Sequence, residues 1–243
     1  MSNILVTGGA SGLGKEIVKA FLRNGDNVIF TSHITKASND ELDMIGSNYI
    51  EVKTDLSSEK DINNLVDIAY DEFGSIDVLI NNASIELENS FENKTKDDFI
   101  KTFEVNTIAP FLLSRLVGKR MYDSKKGVII NISSNNSLDK YDPATIDYDS
   151  SKAALNIISH GLAKEYAPYV RVNTIAPGWI LTDRVKSLNE SLNNKFEQEE
   201  SNKILLNRFS TMEDVTNLVL FLSSDKSSYI NDEIIRIDGG NKW

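Results

Sequence analysis

The chain opens, after three residues, with Ile4-Leu5-Val6-Thr7-Gly8-Gly9-Ala10-Ser11-Gly12-Leu13-Gly14, an apolar run that leads directly into a glycine-rich turn. An unbroken apolar run is typical of a strand buried on both faces of a parallel sheet. A helix should follow, because apolar residues recur at helical spacing from Ile17 to Leu22 before Asn24-Gly25. Such a strand-to-helix turn favours a bound pyrophosphate, since the helix N-terminus offers free N–H groups. A tight turn in a glycine-tolerant loop is the alternative.

Six further apolar runs predict strands. They are Val28–Phe30, Tyr49–Val52, Ile76–Ile80, Gly127–Ile132, Val170–Ile175 and Ile234–Ile237. The capping-box spacing of Ser58 and Asp61 predicts a helix that ends at Gly74, and no helix is predicted between the second and third strands. Alternation without a Pro/Gly/Ser-rich linker predicts an α/β fold, a Rossmann-like doubly wound parallel sheet of about seven strands, with residues 1–243 as a single domain.

Three later segments carry further predictions. Apolar residues between Phe99 and Leu116 predict one or two largely buried helices, in which Asn106 is the polar exception. Ser210 and Glu213 have capping-box spacing. Residues 179–204 are charged and amide-rich without a strand signal, so they are predicted to be an insertion on the substrate side. A functional lid and a solvated surface helix are both compatible with this composition.

Composition excludes several classes of function. A formal charge of -10 argues against binding to nucleic acid or to an anionic membrane surface. The sequence contains no cysteine, which excludes disulfides and thiolate metal sites. We expect a cytoplasmic protein that binds no metal. Neither a signal peptide nor a membrane-spanning run is predicted.

Small and polar residues follow three of the predicted strands. Asn81-Asn82-Ala83-Ser84 follows the fourth, Ser133-Ser134 the fifth and Ala176-Pro177-Gly178 the sixth. Ligands bind at the carboxyl ends of strands in open α/β sheets, so a site is predicted along this edge.

Tyr148 and Lys152 stand four residues apart in a stretch that predicts a helix. This spacing places a phenol and an ammonium one turn apart on the same face. A nearby positive charge favours the phenolate, so the pair could carry out general acid/base chemistry. The same spacing also fits one packed ring and one solvated amine.

Taken together, these motifs resemble those of the short-chain dehydrogenase/reductase family, in particular its 3-oxoacyl-[acyl-carrier-protein] reductase-like members. The likeness covers almost the full length of the chain. The matching residues are Thr7, Gly8, Gly12 and Gly14 for the TGxxxGxG turn, Asp55 for the adenine-side Asp, Asn81-Asn82-Ala83 for the NNAG segment, Asn106 for the helix Asn, Ser134 for the catalytic serine, Tyr148 and Lys152 for the YxxxK pair, and Pro177, Gly178 and Thr182 for the PGxxxT turn.

The resemblance implies an NAD(P)(H)-dependent oxidoreductase that interconverts a carbonyl and a secondary alcohol by hydride transfer. Tyr148 would exchange a proton with the substrate oxygen, which Ser134 would position. Lys152 would lower the phenol pKa and hold the nicotinamide ribose, and Asn106 would anchor a water that links Lys152 to solvent. The residues implied to bind the cofactor are Gly8, Ser11, Gly12, Leu13, Gly14, Ser32, His33, Asp55, Leu56, Asn82, Ala83, Tyr148, Lys152, Pro177, Gly178, Ile180 and Thr182.

The cofactor and the assembly are also predicted. Thr31-Ser32-His33, with Lys36 nearby, lacks the carboxylate that would repel a 2′-phosphate, so NADP(H) is favoured over NAD(H). No Arg or Lys stands at Ala10-Ser11-Gly12, which weakens that preference. The resemblance implies a homotetramer, and the apolar residues from Ala153 to Ile158 exceed what one sheet contact needs.

The substrate side departs from the family pattern. Ser84 replaces the last Gly of NNAG, and Ser134 and Tyr148 are about one residue further apart than is common in the family. The segment from Asn135 to Asp142 is mostly polar, and Glu86 and Glu88 follow the fourth strand. A small polar carbonyl or alcohol, such as a sugar derivative, is therefore predicted, with a 3-oxoacyl thioester as the alternative. A non-catalytic dinucleotide sensor is the alternative from another class.

Overall fold

The computed structural model describes residues 1–33, 39–46, 48–87, 89–139 and 142–240. Within them, seven parallel strands form one sheet in the order β3-β2-β1-β4-β5-β6-β7. The strands are β1 (Asn3–Val6), β2 (Asn27–Ser32), β3 (Tyr49–Lys53), β4 (Val78–Asn81), β5 (Gly127–Ile132), β6 (Val170–Pro177) and β7 (Ile234–Ile237). The strand order reverses between β1 and β4, which creates the crevice where ligands bind in such folds.

Helices cover both faces of the sheet. They are α1 (Gly12–Arg23), α2 (Asn39–Asp43), α3 (Glu59–Phe73), α4 (Lys96–Phe103), α5 (Ala109–Asp123), α6 (Ile146–Tyr166), α7 (Asp183–Ser191), α8 (Phe196–Ser201) and α9 (Met212–Ser223). Side chains alternate along a strand, so Ile4 and Val6 pack in the core beneath α1 and α9, whereas Leu5 packs in the core beneath α3, α5 and α6. The predicted doubly wound sheet is confirmed.

Two details of the helices differ from the prediction. The structure contains α2 between β2 and β3, where no helix was predicted; with five residues, it is too short to show an apolar stripe. The capping box before α9 is formed by Thr211 and Asp214, one residue later than the predicted pair Ser210 and Glu213. Ser210 instead donates its backbone N–H to the Trp179 carbonyl.

The helices from α4 to α5 are less buried than predicted. Ile100, Ile108 and Phe111 are 43%, 47% and 40% exposed. Asn106 is fully buried in a π-helical turn, Glu104–Ile108, that joins the two helices. The apolar residues of this segment therefore lie on two faces. One face packs toward the sheet, and the other is exposed.

Residues 179–204 contain α7 and α8 and no strand. Trp179 packs against Phe196 and Phe209 with ring centroids 5.1 and 5.8 Å away, which anchors α8 to the chain ahead of α9. The predicted insertion is thus largely helical. Among all described residues, no helix is long and apolar enough to cross a membrane.

Candidate active site

A cleft of about 690 Å³ lies along the carboxyl ends of the strands, at the point where the strand order reverses. Most of the predicted site residues line it: Gly8, Ser11, Leu13, Gly14, Ser32, His33, Asp55, Leu56, Asn82, Ala83, Ser134, Tyr148, Lys152, Pro177, Gly178 and Ile180. Residues from both halves of the sheet thus meet in one cavity of the size that holds a small ligand.

The glycine turn is shaped for an anion. Gly8 has a positive φ of 69°, and a Cβ on Gly14 would lie 2.0 Å from the Gly8 carbonyl oxygen, so neither position accepts a side chain. Ser11 precedes α1 without a side-chain hydrogen bond to it, and the first turn has no acidic residue. The N–H groups that open α1 therefore remain available to a phosphate, and this end of the cleft fits a pyrophosphate.

Thr7 fixes the turn against β4. Its Oγ1 accepts hydrogen bonds of 3.0 Å from the backbone N–H groups of Asn82 and Ala83. The Asn82 side chain donates in return to the Thr7 carbonyl at 3.0 Å. Ser84, which replaces the family glycine, is exposed and has no positive φ, so it does not strain this turn.

The far end of the cleft carries hydroxyl, imidazole and carboxylate groups. Asp55 accepts hydrogen bonds from the Ser57 hydroxyl at 2.7 Å and backbone N–H at 2.9 Å, and these lower the pKa of its carboxyl. Ser32 and His33 line the same end. Lys36, which the sequence suggested as a third group here, lies outside the described residues, as does Glu88 on the substrate side.

Lys152 is 2% exposed and donates from Nζ to the Ile132 carbonyl at 2.8 Å. Its Nζ lies 5.6 Å from the centre of the Tyr148 ring. Burial disfavours the charged form and lowers the pKa of Lys152 to about 7. The Lys152 side chain can therefore exist as the ammonium or as the neutral amine near neutral pH.

The pKa of the Tyr148 phenol is raised, whereas the sequence predicted a lowered pKa. Burial, followed by the negative charge of Glu86, raises the pKa of Tyr148 above its ordinary value. The Ser134 hydroxyl opposes this increase by hydrogen bonding to the phenol, and the Arg184 charge opposes it more weakly. The net shift of this pKa is thus opposite in direction to the lowered value that was predicted, because burial dominates.

The loop after Ser134 does not wall the cleft as predicted. The Asn135 amide donates to Asp238 at 3.2 Å, and the Asn136 amide donates to Asp149 at 3.0 Å. Neither residue lines the cleft. Lys140 and Tyr141 of the same segment lie outside the described residues. These two amides are held by carboxylates of the fold, and Asn136, Ser137 and Asp142 line a separate cavity of about 340 Å³.

Three predicted site residues stand behind or beside the cleft. Asn106 accepts from the Ile85 N–H at 2.8 Å and donates to the Ile85 carbonyl at 2.9 Å, so its side chain fixes a residue that lines the cleft. Thr182 caps α7 by accepting from the Val185 N–H. Gly12 lies at the start of α1 with a φ of 52°.

Sequence reasoning missed several residues that line the cleft: Thr54, Ser57, Ile85, Lys101, Glu104, Val105 and Ile132. The end of β5 could have indicated Ile132, because this residue lies at the carboxyl edge. Lys101 and Glu104 come from α4 and its exit, and nothing in the sequence signalled their direction. No cluster of three His, Asp or Glu side chains suited to a metal occurs among the described residues.

Comparison with known proteins identifies the family. A family model described as "Enoyl-(Acyl carrier protein) reductase" matches residues 8–242. The chain belongs to the short-chain dehydrogenase/reductase family. Its members act on CH–OH groups with NAD(P), and this chain is an oxidoreductase of that kind.

Similar proteins cover nearly the full length of the chain. A 3alpha-hydroxysteroid dehydrogenase from Mediterraneibacter gnavus is 33% identical over 97% of this chain and 94% of its own. The 3-oxoacyl-[acyl-carrier-protein] reductase FabG of Aquifex aeolicus is 34% identical over 97% of this chain and 95% of its own. The solved structure "ElxO with NADP Bound" has a TM-score of 0.90 and 29% identity, and the match covers 98% of both chains.

Proposed function

We propose that this short-chain dehydrogenase/reductase interconverts a carbonyl and a secondary alcohol with Tyr148 as its general acid/base. The observation that carries the proposal is the convergence of Ser134, Tyr148 and Lys152 on one cleft, with the Ser134 hydroxyl interacting with the phenol. A bound nicotinamide cofactor supplies the hydride chemistry. The chain's own residues then supply a proton, hold the substrate oxygen and exclude water.

Each of these residues has a part in the proposal. Tyr148 exchanges a proton with the substrate oxygen at its phenol Oη, and the Ser134 hydroxyl orients that oxygen. Lys152, with a pKa of about 7, replenishes the proton. Asn106 supports the relay from behind, since its side chain fixes the backbone of Ile85.

The same proposal assigns the two ends of the cleft. The turn from Gly8 to Gly14 would hold the pyrophosphate, and Asp55 with Leu56 would hold the adenine side. Pro177, Gly178 and Ile180 would border the nicotinamide, close to Lys152 and Tyr148. NADP(H) is preferred, because Ser32 and His33 offer hydrogen-bonding groups and no carboxylate where a 2′-phosphate would lie.

Titration with NADPH and NADH should show this preference. We expect NADPH to bind about tenfold tighter, a difference of about 1.4 kcal/mol, with quenching of Trp179, which follows the cleft residue Gly178, as the signal. His33→Asp should reverse the order by placing a carboxylate against the 2′-phosphate, whereas His33→Asn should largely retain it. Tighter binding of NADH by the unmodified chain would refute the preference.

A charged pair at the substrate side favours a small polar substrate. Arg184 on α7 lies 3.7 Å from Glu86, which follows β4, and the charges of both act on the Tyr148 phenol. The charges of Glu86 and Arg184 therefore also act on a ligand held at Tyr148. Hydroxyl groups of a polar ligand can hydrogen-bond with both side chains, whereas an acyl chain offers them neither a donor nor an acceptor.

A cofactor-linked screen tests this substrate class. The panel contains aldohexoses, a keto sugar, a 3α-hydroxysteroid and acetoacetyl thioester, each with NADP(H) and NAD(H). We expect the sugars to exceed the thioester by about tenfold or more in kcat/KM, since that ratio corresponds to about 1.4 kcal/mol. Turnover of the thioester without turnover of any sugar would contradict the proposal, and the relative FabG would then be the better guide.

We also propose a homotetramer. Ile157 on α6 is 71% exposed, and the uncovered apolar face of α4 and α5 adds Ile108 and Phe111. A second copy would remove this surface from water. Light scattering should give about four times the 27.1 kDa chain mass, and Ile157→Asp should lower that mass. A single-chain mass at micromolar concentration would overturn the proposal.

A further inference from the structure

Lys94 and Asp147 form an ion pair inside the protein. Their Nζ and Oδ1 atoms lie 2.7 Å apart, and the side chains are only 4% and 0% exposed. Lys94 lies in the segment between β4 and α4, and Asp147 lies in the first turn of α6. Neither residue lines the cleft. The proposed mechanism gives the pair no part.

Hydrogen bonds extend this pair to three elements. Lys94 Nζ also donates to the Leu87 carbonyl at 2.6 Å, and the Thr102 hydroxyl of α4 donates to Asp147 Oδ2 at 2.9 Å. The segment after β4, helix α4 and helix α6 are therefore joined at one buried charged point. Such a point restricts how these three elements can shift against one another.

Both ends of the pair adjoin groups that affect the acid/base residue. Asp147 directly precedes Tyr148, and Leu87 directly follows Glu86, whose charge raises the pKa of Tyr148. A shift of α6 would move the phenol, and a shift of Leu87 would move Glu86. A contact that holds both elements would therefore also hold the phenol and Glu86 in place relative to each other.

Stability alone does not account for this arrangement. Replacing a buried ion pair with uncharged residues of similar volume is often neutral or stabilising, because both charges must be desolvated. We propose that Lys94 and Asp147 are positioning residues that hold Tyr148 and the segment after β4 in the register required for catalysis. The proposal needs the oxidoreductase activity but not the identity of the substrate.

The test removes both charges together. In Lys94→Met/Asp147→Asn the side-chain volumes are nearly kept, so we expect Tm within about 5 °C of wild type. With the best substrate from the screen above, kcat should fall by about 10- to 100-fold, because small displacements of a reacting group have effects of this size. NADPH affinity should stay within about twofold, since the pair does not contact the cofactor end.

Hydrogen exchange provides a readout that needs no substrate. Amides of residues 84–87, 89–94 and 142–149 should exchange faster in the double variant, while those of β5 and β6 keep their wild-type protection. Wild-type kcat, or unchanged exchange in both segments, would overturn the proposal. A fall in kcat that merely tracks a fall in folded fraction would overturn it as well.

A milder pair of variants keeps the test valid if the double variant does not fold. Thr102→Val removes only the hydroxyl that holds Asp147, and Thr102→Ser retains that hydroxyl. We expect Val to lower kcat by about threefold or more with little change in KM, and Ser to restore most of it. Equal kcat values for the two variants would contradict the assignment.

Discussion

Tyr148→Phe should reduce turnover by about 10²- to 10⁴-fold, the usual contribution of a positioned general acid or base. The substitution removes one hydroxyl, and the ring keeps its place above the Lys152 side chain. Burial raises the pKa of Tyr148, which favours the protonated phenol, and in the proposed mechanism this phenol donates the proton in the reduction direction. Its loss leaves the developing alkoxide without a donor.

The comparison requires proof that the variant is otherwise intact. NADPH affinity should change by no more than about threefold, because the site proposed for the cofactor's phosphates is the glycine turn at the other end of the cleft. Tyr229→Phe is the matched control, since Tyr229 is fully exposed and does not line the cleft. Turnover of Tyr148→Phe at the level of Tyr229→Phe would refute the role of the phenol.

Lys152→Met should abolish activity to a similar extent and yet stabilise the fold. In wild type, burial lowers the pKa of Lys152 to about 7, so the folded protein bears a cost for the charged form. Methionine fills the same space without a charge but leaves the Ile132 carbonyl without its donor. We expect a net gain of roughly 1 to 4 kcal/mol in unfolding free energy near neutral pH.

The sign of the pH dependence follows from the direction of the shift. Between about pH 7 and pH 10 the unfolded chain keeps a proton on Lys152 that the folded protein releases, so wild-type stability rises with pH in this window. The difference in unfolding free energy between Lys152→Met and wild type is therefore largest below pH 7 and becomes smaller toward pH 10. Urea unfolding at about pH 6 and about pH 9, with Lys226→Met as the exposed control, measures it. A destabilised variant, or a gap that does not change with pH, would contradict this account.

The sequence predicted the framework of the fold well, because buried parallel strands are continuous apolar runs. The run from Gly127 to Ile132 and the run from Ile234 to Ile237 match the observed strands at both ends. The glycine turn was equally readable, since Gly14 tolerates no side chain beside Gly8. Local patterns of this kind need no knowledge of distant contacts.

Predictions that depended on distant contacts fared worse. Asn135 and Asn136 were predicted to line the substrate pocket. Neither lines the cleft, and their amides donate to Asp238 and Asp149. The predicted pKa of Tyr148 neglected burial, which no spacing in the sequence reveals. The pair of Lys94 and Asp147 joins residues more than fifty positions apart, and neither matches a motif.

The central claim is that hydride passes between a nicotinamide cofactor and a carbonyl carbon while Tyr148 moves the proton. The most direct measurement uses NADPH deuterated at C4 of the nicotinamide, with the best carbonyl from the screen and mass analysis of the product. We expect one deuterium on the carbinol carbon, its position unaffected by the solvent, and product formation reduced about 10²- to 10⁴-fold in Tyr148→Phe. A product without deuterium from either face of the ring, or equal yields from Tyr148→Phe and wild type, would contradict the account.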